Sequence, residues 1–546
     1  MAAVGGIAGA APSHEKMACY GARVPANSTH PDYDANATAW LRARDVLAGE
    51  DAVKAAGERY LPRLDAQETK EYEAYRARAS FFNASARTAD GFLGLIFRRD
   101  PTVKCGASTP ATSQGADPAT PTRPGAQQQA MAAFAADADL LGTSLIDYAK
   151  NVVMEVISVG RAGTLIDWED KGERRAYAAL YPAEQILNWR TERIQGRTLL
   201  TLLVLREDVA VPGAADAGAV PGGDEFAAEA VPQLRVLRLV RSPAEKPDTV
   251  TGWRYEVELW QERRERGARR KRPDWVRVET RVPLRLGRPL PQIPFVFHGP
   301  RHSLPPVDKL PLADIIAVNL DHYRLNADYK HGLHFTALPT AWVSGFDKAA
   351  ELRIGASTAW VTETVGAAAG YLEFTGQGLT TFERAMDRDE RLMAILGSRM
   401  LEGQKRVGET ADAIELRQSG ESSVLTTLAL SVSGSLTQVL RWVSWWHSTE
   451  AQPEDVDPGQ VRVQLNTDFS IKGMASDELT AVVAAWQAGA ISRETMFDLF
   501  RQGEVLPAGR TNEEEQRLVT RSAAGAVRPG SGNTPPPTAN SEQRMQ

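Results

Sequence analysis

The sequence predicts an α+β fold, and three observations along its 546 residues indicate it. Apolar residues recur at helical spacings between Asp32 and Phe97. The period falls to two between about residues 151 and 300, as in half-buried strands. Beyond residue 310, long stretches with helical periodicity flank a short Gly-rich segment. Helices and strands in separate runs are typical of an α+β protein.

The first half is expected to form helices and then a sheet. The helices over 32–97 are followed by a low-complexity insertion at 106–129 and a helix over about 130–150. The stretch VVMEVISVGRAGTLIDW is interpreted as two strands that meet at Gly160–Gly163. Both cysteines, Cys19 and Cys105, lie in segments interpreted as irregular.

The sheet is predicted to continue as antiparallel hairpins. YPAEQILNWR and RTLLTLLVLRED pair across a turn at Gln195–Gly196. QLRVLRLV and WRYEVELW continue the sheet beyond a loop at 211–230 that is rich in Ala, Gly and Pro. Pro291 and Pro294 are expected to close it.

A long amphipathic helix is predicted to start at Pro311, where the missing N–H has no partner to lose. Its apolar stripe consists of Leu312, Ile315, Ile316, Leu320, Tyr323 and Ala327. Polar residues share another face at spacings of three, four and seven, namely Asp314, Asp321, Arg324, Asp328 and His331.

Two further long helices are predicted beyond a Gly-rich, strand-like segment at 336–375. One covers about 381–400, with Thr380 and Glu383 at capping-box spacing. Its heptad-like seam is Leu379, Phe382, Met386, Met393, Leu396 and Met400. The other covers about 411–446 and follows the polar loop LEGQKRVGET, and VRVQLN reads as a strand.

The C-terminal region is expected to form a pair of short helices. Ser476 and Ser492 suit N-caps, and Gly489 and Gly503 suit helix ends. The second of these helices offers only Arg493 and Arg501 to DNA, so a packed hairpin is favoured over a DNA reader.

Bulk composition excludes several classes of protein. The net charge of -6 argues against a general nucleic-acid coat, which needs a basic excess. Two cysteines argue against a disulfide framework, and they cannot supply a Cys-based zinc site. No signal peptide is recognised, and no apolar run reaches the roughly 18 residues of a membrane span.

The segment DHYRLNADYKHGLH, residues 321–334, holds three of the eight histidines. His331 and His334 could share a helix face with Asp328 and bind a metal as part of a metal-dependent hydrolase. A zinc site needs three or four converging ligands with supporting contacts, and Gly332 weakens the helix at this point. We therefore interpret the cluster as a polar flank that faces water or a neighbouring subunit, and we expect no metal or cofactor.

The other candidate sites are interpreted as structural features without a catalytic or metal-binding role. HGPRH, residues 298–302, is expected to be a loop at the end of the sheet, and the basic run 261–275 an exposed hairpin tip, with DNA contact as its alternative. The phosphate-binding loop, the G-x-S-x-G elbow, H-E-x-x-H and C-x-x-C motifs do not occur in the sequence. Since no nucleophile has a credible base, an enzyme is disfavoured.

The order of these segments resembles bacteriophage portal proteins, the head–tail connectors, in the branch catalogued as a portal-like domain of unknown function. The resemblance spans roughly residues 32–520 and comes from several long matches in the right order, since no single motif is diagnostic. The matching stretches are IDWED…AYAALYPAEQILNWR, LPPVDKLPLADIIAVNLDHYRLNADYKHGLHFTALPTAW, GETADAIELRQSGESSVLTTLALSVSGSLTQVLRWVSWW and VQLNTDFS…ISRETMFDLFRQGEVLP.

The resemblance implies a homo-oligomeric ring of twelve subunits at one capsid vertex of the virion, built in the host cytoplasm. Double-stranded DNA would enter through it during packaging and leave during ejection. The implied partners are the terminase large subunit, a head–tail adaptor and the major capsid or scaffold protein, with no membrane. Another virion structural protein, such as an adaptor or minor head protein, is the alternative.

The family plan also implies a division of the chain. It comprises a disordered N-terminus (1–30), a wing (31–300), a first stem helix (301–335), a clip (336–375), a second stem helix (376–400), a tunnel loop (401–410), a tunnel helix with a return to the wing (411–470), a crown (471–520) and a disordered tail (521–546). The residues nearest the DNA would be Glu402, Gln404, Lys405, Arg406 and Glu409. The polar face of the first stem helix would line the channel or a seam between subunits.

Overall fold

A computed structural model describes much of the chain. It covers residues 26–105, 126–170, 172–194, 196–211, 229–241, 252–263, 274–336, 340–345, 361, 363–372, 378–399, 423–457, 459–467, 469, 476–503, 505–506 and 510–526. The chain divides into two compact units, one of Met1–Phe97 with Pro101–Thr467 and one of Arg98–Asp100 with Asp468–Gln546. Helices and antiparallel sheets are both present, which confirms the predicted α+β class.

The helices of the first unit are α1 (Pro31–Ala48), α2 (Glu50–Ala55), α3 (Thr69–Arg78), α4 (Ala84–Ile96), α5 (Ala126–Ala136), α6 (Leu145–Val159), α7 (Ala313–Thr336), α8 (Leu379–Arg399) and α9 (Val424–Trp446). Side chains that accept hydrogen bonds from the first turn fix several starts. Asn83 accepts from the Ala86 amide, and Ser144 accepts from the Asp147 amide.

The strands are β1 (Thr102–Cys105), β2 (Ala162–Trp168), β3 (Ala176–Pro182), β4 (Ile186–Ile194), β5 (Arg197–Val211), β6 (Glu229–Arg241), β7 (Trp253–Arg263), β8 (Asp274–Arg281), β9 (Leu284–Arg285), β10 (Arg288–Pro289), β11 (Phe295–His298), β12 (Thr340–Ser344), β13 (Ala368–Leu372) and β14 (Val461–Gln464). All of the pairings between them are antiparallel.

The largest sheet has the order β4-β5-β6-β7-β8. Ile194 pairs with Arg197, so β4 and β5 meet at the predicted position, and Gln195 of the predicted turn lies outside the described residues. Leu187, Val204, Leu234 and Val236 form its buried cluster, to which Ala26 and Tyr33 add apolar cover. The basic run joins β7 to β8 as predicted, and its central residues 264–273 lie outside the described part.

A three-stranded sheet, in the order β11-β2-β3, shows two errors in the predicted strand pattern. The segment up to Val159 is the end of α6 and not a strand, and Gly160, at φ 72°, ends that helix. Val152, Val153, Val156 and Ile157 are fully buried, and a short, mostly apolar run of this kind does not distinguish a helix from a strand.

The second error concerns the end of the sheet. Pro291 and Pro294 do not close it, because β11 follows them and pairs with β2. The predicted irregular setting of Cys105 is also wrong, since this residue ends β1 and pairs with Val461 of β14.

The N-terminal boundary of predicted disorder is too far along the chain. The His30 amide donates to the Leu187 carbonyl over 2.9 Å, and the Asn188 amide group donates to the Ser28 carbonyl over 2.8 Å. The His30 ring stacks on Trp189 with ring centroids 4.0 Å apart. Residues 26–30 are thus anchored to the large sheet, and residues 1–25 lie outside the described part.

The second unit contains α10 (Ser476–Gln487), α11 (Arg493–Gln502) and α12 (Asn512–Ala526). Ser492 caps α11 as predicted, accepting from the Thr495 amide. Helix α12 was not predicted, and the expected start of the disordered tail at 521 falls within it. Its signal was in the sequence: Thr511 and Glu514 bond each other's amides over 3.2 and 3.1 Å in a capping box.

Candidate functional site

The candidate site is built on the helices α7 and α8. We call these two helices, together with the β12–β13 hairpin that lies between them in the sequence, the stalk. The two helices run antiparallel. Tyr329 Oη donates to Glu383 Oε1 over 2.7 Å near one end, and His322 Nε2 lies 3.5 Å from Glu390 Oε1 near the other. The predicted apolar stripe of α7 is buried at all six positions, which confirms its orientation.

Two asparagines hold α7 against the start of α4 and the segment that precedes it. Asn319 Oδ1 accepts from the Ser85 amide and hydroxyl over 3.1 and 2.9 Å, and Asn319 Nδ2 donates to the Phe82 carbonyl over 2.7 Å. Asn326, seven residues later, accepts from the Ser80 amide over 2.8 Å. Because these bonds are directional, they fix both the rotation and the height of α7 against the first four helices.

The five polar residues predicted to share one face of α7 are divided between two environments. Asp314 and Asp321 project into solvent, with side chains 68% and 58% exposed. Arg324 Nε donates to the Tyr60 carbonyl over 2.9 Å. Asp328 accepts from Tyr75 Oη over 2.5 Å, and His331 lies beside α3. Only the first two remain candidates for a channel or seam surface.

The metal-site hypothesis for Asp328, His331 and His334 is not supported by the contacts of these side chains. The Asp328 carboxylate is engaged by Tyr75, whose pKa is raised by burial and by this hydrogen bond. His331 Nδ1 lies 3.2 Å from Arg78 Nη2, and burial and that guanidinium hold the His331 pKa below its usual value. Among the described residues, no group of three or more His, Cys, Asp or Glu is placed to hold a metal ion.

We expect Tyr75→Phe to lower the free energy of unfolding by about 1–3 kcal/mol, because it leaves the Asp328 carboxylate half-buried without its donor. Urea unfolding followed by tryptophan fluorescence checks this. Tyr329→Phe is the control, since its partner Glu383 is solvent-exposed and can be hydrated. Equal midpoint shifts in the two variants would contradict the assignment.

Helix α8 presents apolar residues to α7, and its opposite side is exposed to solvent. Met393 is buried, and Leu379, Phe382, Met386 and Leu396 are half-buried, as expected for the predicted seam. The predicted capping role of Thr380 is wrong, because the helix already begins at Leu379. The far side carries a shallow groove of about 410 Å³, which we call the arginine groove, lined by Arg384, Asp387, Arg388, Arg391, Leu392 and Ile395.

The proposed DNA-contacting residues lie outside the described part of the chain. These are Glu402, Gln404, Lys405, Arg406 and Glu409, and residues 411–422 of the predicted third helix lie outside it as well. From Val424 onward that helix is α9, capped by Ser423, which accepts from the Thr426 amide over 3.1 Å. Its apolar side is buried, so α9 is a core element of the first unit; the residues are Leu425, Leu428, Val432, Leu436, Val439 and Leu440.

A buried hydrogen-bond relay links α9 to the sheet, and sequence analysis missed it. His298 ends β11 instead of lying in a loop, and its Nδ1 is 2.7 Å from Ser435 Oγ of α9. Its Nε2 is 2.7 Å from Thr164 Oγ1 of β2, which is 2.8 Å from Tyr148 Oη of α6. Burial lowers the pKa of His298 to about 3, so the ring is neutral.

The serine and histidine of the relay are as close as in a catalytic pair, but a substrate cannot reach them. His298 and Ser435 are each 1% exposed. Ser435 Oγ donates to the Val432 carbonyl over 3.0 Å, so its hydroxyl hydrogen is committed and His298 Nδ1 must be the donor to Ser435. Every group in the relay is therefore satisfied by its neighbours, which indicates a structural role.

The arginines of the second unit are also engaged in packing. Arg493 lies 5.5 Å above the Phe497 ring, and Arg501 Nη1 donates to Asp498 over 2.6 Å. Met496 and Phe497 are buried, in agreement with a packed helical hairpin. Within the described ranges, no helix is long and apolar enough to span a membrane.

Comparisons with known proteins match part of the chain to one family model. Residues 311–447 match a family described as a domain of unknown function, DUF4055. A chain in the solved structure of the neck of a native GTA particle, computed with C12 symmetry, aligns with 76% of this chain and 89% of its own length. The identity is 10% and the TM-score 0.33, a value too low to support a functional inference. No curated protein matches the chain. The family match runs from the start of the stalk to the end of α9 and covers less than half of the chain.

Proposed function

We propose that this protein is the subunit of a phage portal, a ring at one capsid vertex through which double-stranded DNA is packaged and later ejected. The observation that carries the proposal is the stalk itself. In its helix pair, α7 is hydrogen-bonded to the first four helices, and the side of α8 that faces away from α7 is exposed. The ring of twelve copies and its position in the virion are taken from the resemblance to portal proteins.

In this proposal each element has a position in the ring. Helices α7 and α8 are the stem, the β12–β13 hairpin is the clip, α9 is the tunnel helix, and α10 to α12 are the crown. The loop at 401–410 would bring Glu402, Gln404, Lys405, Arg406 and Glu409 nearest the DNA. Mixed charges suit a passage, because a ring of cations alone would release counterions and hold the duplex.

The clip is the proposed docking site for the terminase large subunit and then for the head–tail adaptor. Strands β12 and β13 pair in register, with Ala341 opposite Tyr371 and Trp342 opposite Gly370. Both aromatic side chains of this hairpin, Trp342 and Tyr371, are exposed. Exposed aromatic residues of this type are enriched at protein–protein interfaces, which supports the assignment.

A stem with a bare side explains why a ring is expected. The far side of α8 exposes Leu392 and Ile395 among charged residues in a single copy. If each copy packs this side against a different surface of the next copy, a closed ring covers it in every subunit. The major capsid or scaffold protein would contact the outer wing, and the portal itself would have no enzymatic activity.

Electron microscopy of the purified full-length chain tests the proposal. We expect top views of closed rings with a central hole wide enough for a DNA duplex. Compact monomers under all assembly conditions would contradict it. Closed particles without a hole would instead indicate another virion structural protein, such as an adaptor.

A further inference from the structure

The arginine groove lies on the side of α8 that faces away from α7. The positions that contact α7 include Leu379, Glu383, Met386 and Glu390. At 3.6 residues per turn, the groove residues other than Asp387 fall on the opposite side of the helix, and Asp387 lies at its edge. No residue of α7 in the same copy can therefore reach the groove.

Two arginines of the groove have no partner among the residues that the structure describes. Arg384 and Arg391 make no hydrogen bond or ion pair within the described part of the chain, whereas Arg388 bonds the buried Asp389. Leu392 and Ile395 beside them are 39% and 45% exposed. The groove thus combines free positive charge with apolar surface, as expected of a surface that another helix covers.

A matching surface lies on α7. Asp314, Ala317 and Asp321 are exposed along one side of that helix, and we call them the acidic flank. Asp314 pairs with Lys309 at 3.2 Å, and Asp321 lies 4.0 Å from Arg324, but exposed pairs of this kind contribute little and leave the carboxylates accessible.

The charges on the two surfaces have the same spacing. Asp314 and Asp321 are seven residues apart, and so are Arg384 and Arg391. In both helices this separation is two turns, or about 10.5 Å along the axis. One alignment of the helices therefore places both arginines opposite both aspartates, with Ala317 small enough to admit Leu392 or Ile395.

We propose that the arginine groove receives the acidic flank of a second copy of this chain. The contact is heterologous, so each copy gives its groove to one neighbour and its flank to the other. This inference rests on the proposed ring and names the residues that form its seam. DNA is the less suitable occupant, because Asp387, Leu392 and Ile395 offer nothing to phosphate groups.

Charge reversal in the full-length chain tests the pairing. The groove variant is Arg384→Glu/Arg391→Glu, which spares Arg388 because it supports buried Asp389. The flank variant is Asp314→Arg/Asp321→Arg. Each variant alone places like charges at every seam, so we expect the concentration for half-assembly, measured by sedimentation velocity or mass photometry, to rise about tenfold or more.

An equal mixture of the two variants provides the matched control. In alternating order each reversed groove meets a reversed flank and each native groove meets a native flank, so assembly is expected to return to near the wild-type concentration. This rescue also shows that both variants are folded. Failure of the mixture to assemble would overturn the pairing.

Two other results distinguish this inference from the proposed function. If both variants assemble like the wild-type chain, the seam lies elsewhere while the ring stands; if the groove variant also loses binding to a DNA duplex, the groove is a DNA site. Both results overturn the inference. A wild-type chain that remains monomeric under all conditions refutes the proposed ring and this inference together.

Discussion

Replacing Asn319 with leucine is expected to lower the free energy of unfolding by about 3–5 kcal/mol, although leucine is apolar and similar in size. Asn319 is fully buried, and its amide satisfies three groups: the Ser85 amide, the Ser85 hydroxyl and the Phe82 carbonyl. Leucine removes all three hydrogen bonds but leaves these groups in place. A buried polar group without a partner costs about 1–3 kcal/mol.

The measurement is the urea midpoint of the full-length chain, followed by tryptophan fluorescence. Tyr329→Phe is the matched control, because it lies on the same helix, its partner Glu383 is exposed, and it should change stability by no more than about 0.5 kcal/mol. A shift in Asn319→Leu that is no larger than the control shift would show that α7 is not held by this residue.

The stalk was well predicted because its signals are local. A long helix that is apolar on one side repeats its pattern over several turns, so the six buried positions of α7 could be identified from spacing alone. Spacing also showed that Asp314 and Asp328 lie on one side. It could not show that Asp328 is covered, since its partner Tyr75 is 253 residues away in the sequence.

The errors have similar physical causes. Residues 152–159 are apolar except for Glu155 and Ser158, and so short and dense an apolar run is compatible with either a helix or a strand. His298 was taken for a loop residue because Gly299 and Pro300 follow it, and its partners Thr164 and Ser435 are 134 and 137 residues away. Helix α12 is different, since its capping box was visible and the polar composition around it was given too much weight.

His298→Gln is expected to make the stability of the chain less dependent on pH between 7 and 5. An unfolded histidine binds its proton near pH 6.5, whereas burial lowers the pKa of folded His298 to about 3. Below pH 6.5 the unfolded chain therefore binds one more proton at this residue than the folded chain. Stability is fully present above pH 6.5 and is lost as the pH falls, by about 1.4 kcal/mol for each pH unit.

Glutamine has no proton to gain in this range, so it removes that part of the slope. The wild-type chain should be the more stable at pH 7, because His298 satisfies both Thr164 and Ser435. Its advantage over His298→Gln should shrink by about 2 kcal/mol between pH 6.5 and pH 5. His30, His331 and His447, whose pKa values are also lowered, contribute equally to both chains and cancel in the difference.

Tyr148→Phe is the control that distinguishes the titration of His298 from the loss of a hydrogen bond in the relay. It removes the hydroxyl that donates to Thr164 but keeps His298 buried, so it should lower stability by about 1 kcal/mol at every pH and retain the wild-type slope. Urea midpoints at several pH values between 7 and 5 give the three slopes. Parallel curves for the wild type and His298→Gln would mean that His298 is not held neutral. A lower slope in His298→Gln alone would show that α9 is joined to β2 and β11 through an uncharged ring. Acid then lowers the stability of the chain because His298 gains its proton only on unfolding.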